Sequence, residues 1–107
     1  MLTLEPITSG IHDGRHQHYP TPDLAARTAE TETSAEETAC RMLLQFQPVS
    51  YLRLVDAAGT VLREYRRCDF FLRKSPLRVV HQRVALELID ERIAGQKEIG
   101  KRVAMSA

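Results

Sequence analysis

Three histidines near the N-terminus are the first residues whose type and spacing could do chemistry. His12, His16 and His18 fall within one short stretch, and three neutral imidazoles can hold a zinc ion with a fourth coordination position open. Gly10 and Gly14 disfavour a helix here, so the four-residue spacing does not place two rings on one helical face. We therefore expect an exposed histidine-rich loop, with metal binding as the less favoured alternative. We predict no metal site and no cofactor.

A second set of residues could in principle catalyse a nucleophilic reaction. Cys68, Asp69 and His81 supply a thiol, a carboxylate and an imidazole, the groups that such chemistry uses. Their spacing permits the three to meet but does not require it, and local signatures of this kind do not transfer between families. The chain has no phosphate-cradling glycine loop and no nucleophile elbow. We predict that the protein is not an enzyme.

Basic residues are concentrated in the second half of the chain. Residues 1–50 contain three Lys or Arg against seven Asp or Glu, whereas residues 51–107 contain twelve against seven. The formal net charge of the whole chain is only +1. This asymmetry suggests either an anionic partner for the second half or attraction between the two halves.

A β-hairpin over residues 50–67 is the first element expected to position these basic residues. Asp56 and Gly59 suit a type I turn that closes with a G1 bulge. Such a loop pairs Val55 with Val61, Arg53 with Arg63, and Tyr51 with Tyr65. The opposite face then carries Leu52, Leu54 and Leu62, which we expect in the core because side chains alternate across a strand.

The two opposed arginines admit two interpretations. Like charges directly opposite each other destabilise a sheet unless an anion lies between them. The favoured interpretation is a solvated face on which the guanidinium groups spread apart. The alternative is an anion-binding surface, because arginine presents a planar fork of donors to phosphate or carboxylate. A slip of one residue in the loop would remove this pairing.

The remaining elements give the fold class. Residues 69–73 read as a third strand. One helix begins at the capping box of residues 34–37 and runs to about Gln45, and a second runs from Pro76 to Ala94, where Gly95 ends it. We predict a small α+β domain of helix, three-stranded antiparallel sheet and helix (α-β-β-β-α), with a possible edge strand in residues 1–8. Residues 1–33 are expected to be a partly ordered loop and linker region, and residues 34–107 the α+β domain.

The second helix has two apolar stripes on nearly opposite sides. A helix that lies on a sheet needs only one such stripe, so the other needs a second covering surface. We favour another copy of the chain, while the first helix with the N-terminal segment, or the C-terminal tail, is the alternative. The predicted dimer interface is Val79, Leu86, Ile89 and Ile93.

These observations favour a small binding protein that contacts an anionic partner, either nucleic acid or an acidic protein surface, with nucleic acid the favoured choice. Lysine and arginine would contact phosphates, and tyrosine rings would stack. The predicted surface comprises Tyr51, Arg53, Arg63, Tyr65, Arg66, Arg67, Arg73, Lys74 and Arg78. The alternative is a homodimeric protein-interaction or inhibitor protein, for example of a mobile element, that acts through the second helix. The near-neutral net charge is lower than nucleic-acid-binding domains usually show.

The compartment is predicted from what the sequence lacks. No run of about 18 apolar residues exists, so we expect no membrane span. The N-terminus has no basic flank followed by a long apolar segment, so it does not resemble a secretory signal. Cys40 and Cys68 are most simply reduced thiols. We predict a cytoplasmic protein.

Overall fold

The computed structural model describes residues 1–106, with side chains described for residues 1–95. The strands are β1 (Leu2–His12), β2 (Arg15–Pro20), β3 (Arg27–Ala29), β4 (Tyr51–Val55) and β5 (Val61–Arg66). The helices are α1 (Glu32–Gln45), α2 (Arg67–Phe71) and α3 (Arg78–Ser106). All strand pairs are antiparallel, and the order is β2-β1-β4-β5, with β3 also paired to β1. None of the described helices is long and apolar enough to cross a membrane.

The five-stranded sheet shows that the predicted α-β-β-β-α layout is wrong. Residues 2–29 supply three of the five strands, and α1 lies between β3 and β4 along the chain. The stretch interpreted as a histidine-rich loop is instead a β-hairpin made by β1 and β2. Asp13 and Gly14 form its tip with φ angles of 52° and 74°. Positive φ at both central residues is what a two-residue type I′ turn requires, and Asp-Gly is a favoured pair for it.

β1 is a central strand although it contains Pro6, which would fit an edge strand better. On one side β1 pairs with β4 through residues 3–7. On the other side it pairs with β3 through residues 2–4 and with β2 through residues 7–12. The carbonyl of Pro6 accepts a hydrogen bond from the N–H of Thr21, and the nitrogen of a strand residue faces the same side as its carbonyl. The missing N–H of Pro6 therefore falls in the gap between β3 and β2.

The β4–β5 hairpin has the predicted turn but not the predicted register. The carboxylate of Asp56 accepts hydrogen bonds from the N–H groups of Ala58 and Thr60, and Gly59 has a φ of 86°. Val55 pairs with Val61 as predicted, but a bulge between residues 54 and 55 shifts every later pair by one residue. The observed pairs are Leu54 with Arg63, Arg53 with Glu64, Leu52 with Tyr65, and Tyr51 with Arg66.

The shifted register has a clear physical advantage. It places Tyr65, which is fully buried, on the core face and leaves Leu62 half exposed, so the prediction of Leu62 as a core residue is wrong. It also replaces the like-charged pair of Arg53 and Arg63 with an opposite-charged pair of Arg53 and Glu64. Opposite charges across a strand pair stabilise a sheet, whereas like charges destabilise it.

The predicted third strand at residues 69–73 is also wrong, because α2 occupies this region. The carboxylate of Asp69 accepts a hydrogen bond from the N–H of Arg66 at the helix start. Phe70 is buried against Tyr65, with ring centroids 6.0 Å apart. The burial of Phe70 and the cap that Asp69 provides thus favour a helix here, and together they outweigh the β-propensity of the sequence Phe-Phe-Leu.

The core lies between one face of the sheet and the helices. It contains Leu4, Leu52 and Leu54 from the strands, residues 35, 39, 42 and 43 of α1, and Leu77 and Val84 of the α3 side. α1 begins one turn before the predicted capping box, because Thr31 caps it and exchanges hydrogen bonds with Ser34. α3 continues past Gly95, so the predicted helix end there is wrong.

Candidate functional site

The sheet face opposite the core carries a cluster built around Tyr51, here called the open-face cluster (His18, Tyr51, Arg53 and Arg66). Alternation along β4 directs Tyr51 and Arg53 to this face because Leu52 and Leu54 enter the core. Nη2 of Arg53 donates to the Tyr51 hydroxyl at 3.2 Å, and Nδ1 of His18 lies 3.4 Å from the same oxygen. The guanidinium carbon of Arg66 lies 4.9 Å from the centre of the Tyr51 ring. These contacts leave Tyr51 only 5% exposed.

The charges of this face neutralise one another. Arg53 stands between Glu5 of β1 and Glu64 of β5 in the strand register. The hydrogen bond to Tyr51, and then the two neighbouring carboxylates, raise the pKa of Arg53 above its ordinary value. Arg66 pairs with Glu64 at 2.9 Å. The open face is therefore a ladder of alternating charge, and its tyrosine is covered rather than available for stacking.

Arg63 and Tyr65, also predicted as binding residues, lie on the helix-facing side of the hairpin. The guanidinium of Arg63 is 3.7 Å from the carboxylate of Glu36 on α1 and 4.9 Å from the centre of the Tyr65 ring. Tyr65 is fully buried, and its hydroxyl has no hydrogen-bond partner within the described part of the chain. Burial raises the pKa of this hydroxyl. Tyr65 serves the core and offers no ring to a ligand.

Arg67 binds the end of α1 rather than pointing to solvent. Its Nε donates to the carbonyl of Leu43 at 3.1 Å, and its Nη2 donates to the carbonyl of Phe46 at 3.0 Å. Further hydrogen bonds reach the carbonyls of Gln47 and Val49. A helix leaves its last carbonyls without intrahelical partners and carries negative charge there, so a guanidinium is a suitable cap. The sequence gives no local signal for this contact, because 18 to 24 residues separate Arg67 from these carbonyls.

The remaining predicted cations lie at the junction of α2 and α3, here called the basic corner (Arg73, Lys74 and Arg78). Arg73 and Lys74 are exposed in the connecting loop, and Arg78 is half-buried at the first residue of α3. Within the described side chains, none of the three forms an ion pair. Leu72, beside them, is 60% exposed. Of the nine predicted binding residues, these three lie in the basic corner without an ion-pair partner among the described side chains. The others lie in the open-face cluster, in the core (Tyr65), beside Glu36 of α1 (Arg63) and at the α1 cap (Arg67).

α3 presents an apolar stripe to solvent, here called the exposed stripe (Val79, Leu86, Ile89 and Ile93). These four residues are 68%, 63%, 54% and 45% exposed, respectively. On the other side of the helix, Val84 is buried in the core, as is Leu77 immediately before the helix. The spacing of seven, three and four residues matches the a and d positions of a coiled-coil helix. α1 and the N-terminal residues, one alternative cover for this stripe, leave it exposed, and the side chains of the C-terminal tail, the other alternative, lie outside the described residues.

Ion pairs connect α3 to α1 along the side of α3 that faces α1. Arg41 of α1 contacts Glu87 at 2.6 Å and Glu91 at 3.2 Å. Arg83 of α3 pairs with Glu37 of α1. The hydrogen bond to Glu87 is the main cause of the raised pKa of Arg41. With these contacts on the α1 side, the exposed stripe is left on the outer side of α3.

The candidate catalytic and metal-binding sets do not assemble. Strand alternation puts His12 on the opposite sheet face from His16 and His18, and His12 instead contacts Tyr19. No group of three or more His, Cys, Asp or Glu within the described residues could hold a metal ion. The ring of His81 packs edge-on against Phe71, while the carboxylate of the nearby aspartate caps α2. The imidazole and the carboxylate of this set thus each have another contact, and the thiol of Cys68 is exposed.

Comparison with known protein families, with curated proteins and with solved structures found no significant match to this chain. Two surfaces of the described residues, the exposed stripe and the basic corner, are therefore the basis for proposing a function.

Proposed function

We propose that this chain is a non-enzymatic interaction protein that works as a homodimer through the exposed stripe of α3. The single observation that carries the proposal is the exposure of four large aliphatic side chains in coiled-coil spacing on one helix. Singly exposed apolar residues are common on protein surfaces, but contiguous apolar patches mark interaction sites. The opposite side of the same helix is already buried in the core, so the exposed stripe serves a second contact.

The energetics favour reversible association. Full burial of an aliphatic side chain contributes about 1.5–3 kcal/mol, and these side chains are roughly half exposed, so about half of that gain remains. Two copies of the stripe then contribute roughly 6–12 kcal/mol, while association costs about 4–15 kcal/mol. Because these ranges overlap, we expect a dimer that forms with increasing concentration rather than a permanent one.

Sedimentation equilibrium over a concentration series tests this proposal. The mass should rise from the 12.1 kDa monomer towards twice that value. The double change Leu86→Glu with Ile89→Glu should keep the protein monomeric while circular dichroism shows an unchanged fold, because both side chains are exposed. Ile11→Glu is the matched control, since Ile11 is at least as exposed as Leu86 and Ile89 but lies on β1. A 12.1 kDa species at every concentration would contradict the proposal.

The second candidate function is contact with an anionic partner, most plainly nucleic acid, through the basic corner. It is supported by three neighbouring cations for which the described residues supply no ion-pair partner. Such contacts give affinity without sequence choice, because phosphates are alike in every sequence. The loss of Tyr51 and Tyr65 as stacking rings leaves this candidate with electrostatic contacts alone.

Fluorescence anisotropy with labelled single-stranded and double-stranded oligonucleotides tests the second candidate. Binding should weaken as salt rises, and Arg73→Gln with Lys74→Gln should reduce both the affinity and its salt dependence. Arg15→Gln with Arg27→Gln removes the same charge elsewhere and should reduce the affinity less. No binding at low salt, or equal effects of the two double variants, would exclude a nucleic-acid role for the basic corner.

A further inference from the structure

The two flanks of the exposed stripe carry different charges. At 100° per residue, Arg83 and Asp90 fall on one flank of the stripe, and Arg78 and Arg92 fall on the other flank. Asp90 and Arg92 are exposed, and the side chain of Arg83 is 50% exposed. Charged residues that flank an apolar seam decide how two helices pair and in which orientation.

Parallel and antiparallel pairing bring different charges together. In a parallel pair, each residue of one flank meets the residue five positions later on the opposite flank of the second helix. Arg78 then meets Arg83 of the second copy, which is a repulsive contact made twice by symmetry. In an antiparallel pair, equivalent flanks meet, so Arg83 of each copy lies beside Asp90 of the other. That arrangement makes two attractive contacts.

We propose that two copies of this chain pair antiparallel along α3, with Arg83 of each copy beside Asp90 of the other. The proposal rests on the homodimer proposed above and adds its orientation. Leu86 and Ile89 of one copy then pack against Ile89 and Leu86 of the other. Arg83 already contacts Glu37 of its own chain, which holds its guanidinium on the correct flank. A guanidinium has five donors, so it can bind a second carboxylate.

Charge reversal at Asp90 distinguishes the two orientations. In the antiparallel dimer, Asp90→Arg places the new arginine beside Arg83 of the other copy, and symmetry makes this contact twice. The repulsion should raise the dissociation constant of the dimer about tenfold. In a parallel dimer, residue 90 would face Ala85, and the same change would leave the dissociation constant unchanged. Arg83→Glu combined with Asp90→Arg should restore most of the affinity. Glu30→Arg, in the exposed segment before α1, is the control for a charge reversal outside the contact.

Disulfide trapping gives an independent test that does not depend on charge. In a Cys68→Ser background, Val79→Cys places one new thiol near the start of α3. Antiparallel helices hold the two introduced thiols far apart, so mild oxidation should yield no disulfide-linked dimer, whereas parallel helices would trap one readily. A monomeric wild-type chain would contradict the homodimer itself. A wild-type dimer with trapped Val79→Cys chains and an unaffected Asp90→Arg variant would contradict only the orientation.

Discussion

At the scale of single residues, the two tyrosines of the β4–β5 hairpin show how one residue type serves two environments. Tyr51 lies on the open face, where its hydroxyl contacts Arg53 and His18. Tyr65 lies in the core, and its hydroxyl has no partner within the described residues. A buried hydroxyl without a hydrogen bond lowers stability, because it loses water and gains nothing in exchange.

Tyr65→Phe is therefore expected to leave the free energy of unfolding unchanged or to raise it by up to about 1 kcal/mol, since the ring keeps its packing. Tyr51→Phe is the matched control, and it should lower the same free energy by about 0.5–1.5 kcal/mol because it removes a satisfied hydrogen bond. Urea denaturation of both variants provides the measurement. If Tyr65→Phe were the more destabilising change, the Tyr65 hydroxyl would have a partner.

At the scale of elements, local turn chemistry could be predicted and strand register could not. Asp56 and Gly59 specify their turn through their own side chain and backbone, and the structure confirms the pair of Val55 and Val61. The bulge that follows places Tyr65 in the core beneath α1. It therefore depends on tertiary packing, which the local sequence does not reveal. Asp13 and Gly14 carried an equally local hairpin signal that the surrounding histidines and glycines obscured.

Arg67 connects two elements that lie far apart in sequence, so its role could not be predicted from its neighbours. Arg67→Gln leaves several carbonyls at the end of α1 without their charged donor and should lower the free energy of unfolding by about 2–3 kcal/mol. Arg66→Gln, which disrupts only an exposed ion pair with Glu64, should cost less than about 1 kcal/mol. Urea denaturation measures both, and equal costs would show that the Arg67 contacts do not stabilise α1.

At the scale of the whole molecule, periodicity within one helix was more informative than charge along the chain. The two apolar stripes of α3 follow from the sequence alone, and the structure shows one of them buried and the other exposed. The basic half of the chain looked like one surface in sequence. In the folded chain, Arg63 and Arg83 pair with carboxylates on α1, and Arg66 pairs with a carboxylate on β5. Which cations remain without an ion-pair partner depends on tertiary contacts, and a count of charges along the sequence does not include these contacts.

Cys40, buried in α1 beneath the sheet, reports on this global packing through the pH dependence of stability. Burial raises the pKa of its thiol from 9.0 to about 11. Above pH 9 the thiol of the unfolded chain ionises while that of the folded chain stays neutral, so ionisation favours unfolding. The stability that is fully present below pH 9 is then lost as the pH rises towards 11, by about 3 kcal/mol at most.

Chemical denaturation at pH values from 8 to 11, spaced about one pH unit apart, checks this expectation. This range covers the pKa of the Cys40 thiol in both the unfolded and the folded chain. Other groups also titrate in this range, so the quantity to compare is the difference between the wild-type protein and Cys40→Ala. Cys40→Ala should be less stable below pH 9, because it leaves a cavity, and the difference should shrink as the pH rises. Cys68→Ala, which changes an exposed thiol, should follow the wild-type curve. A Cys40→Ala curve that stays parallel to the wild-type curve would mean that the thiol ionises equally in the folded and unfolded chains.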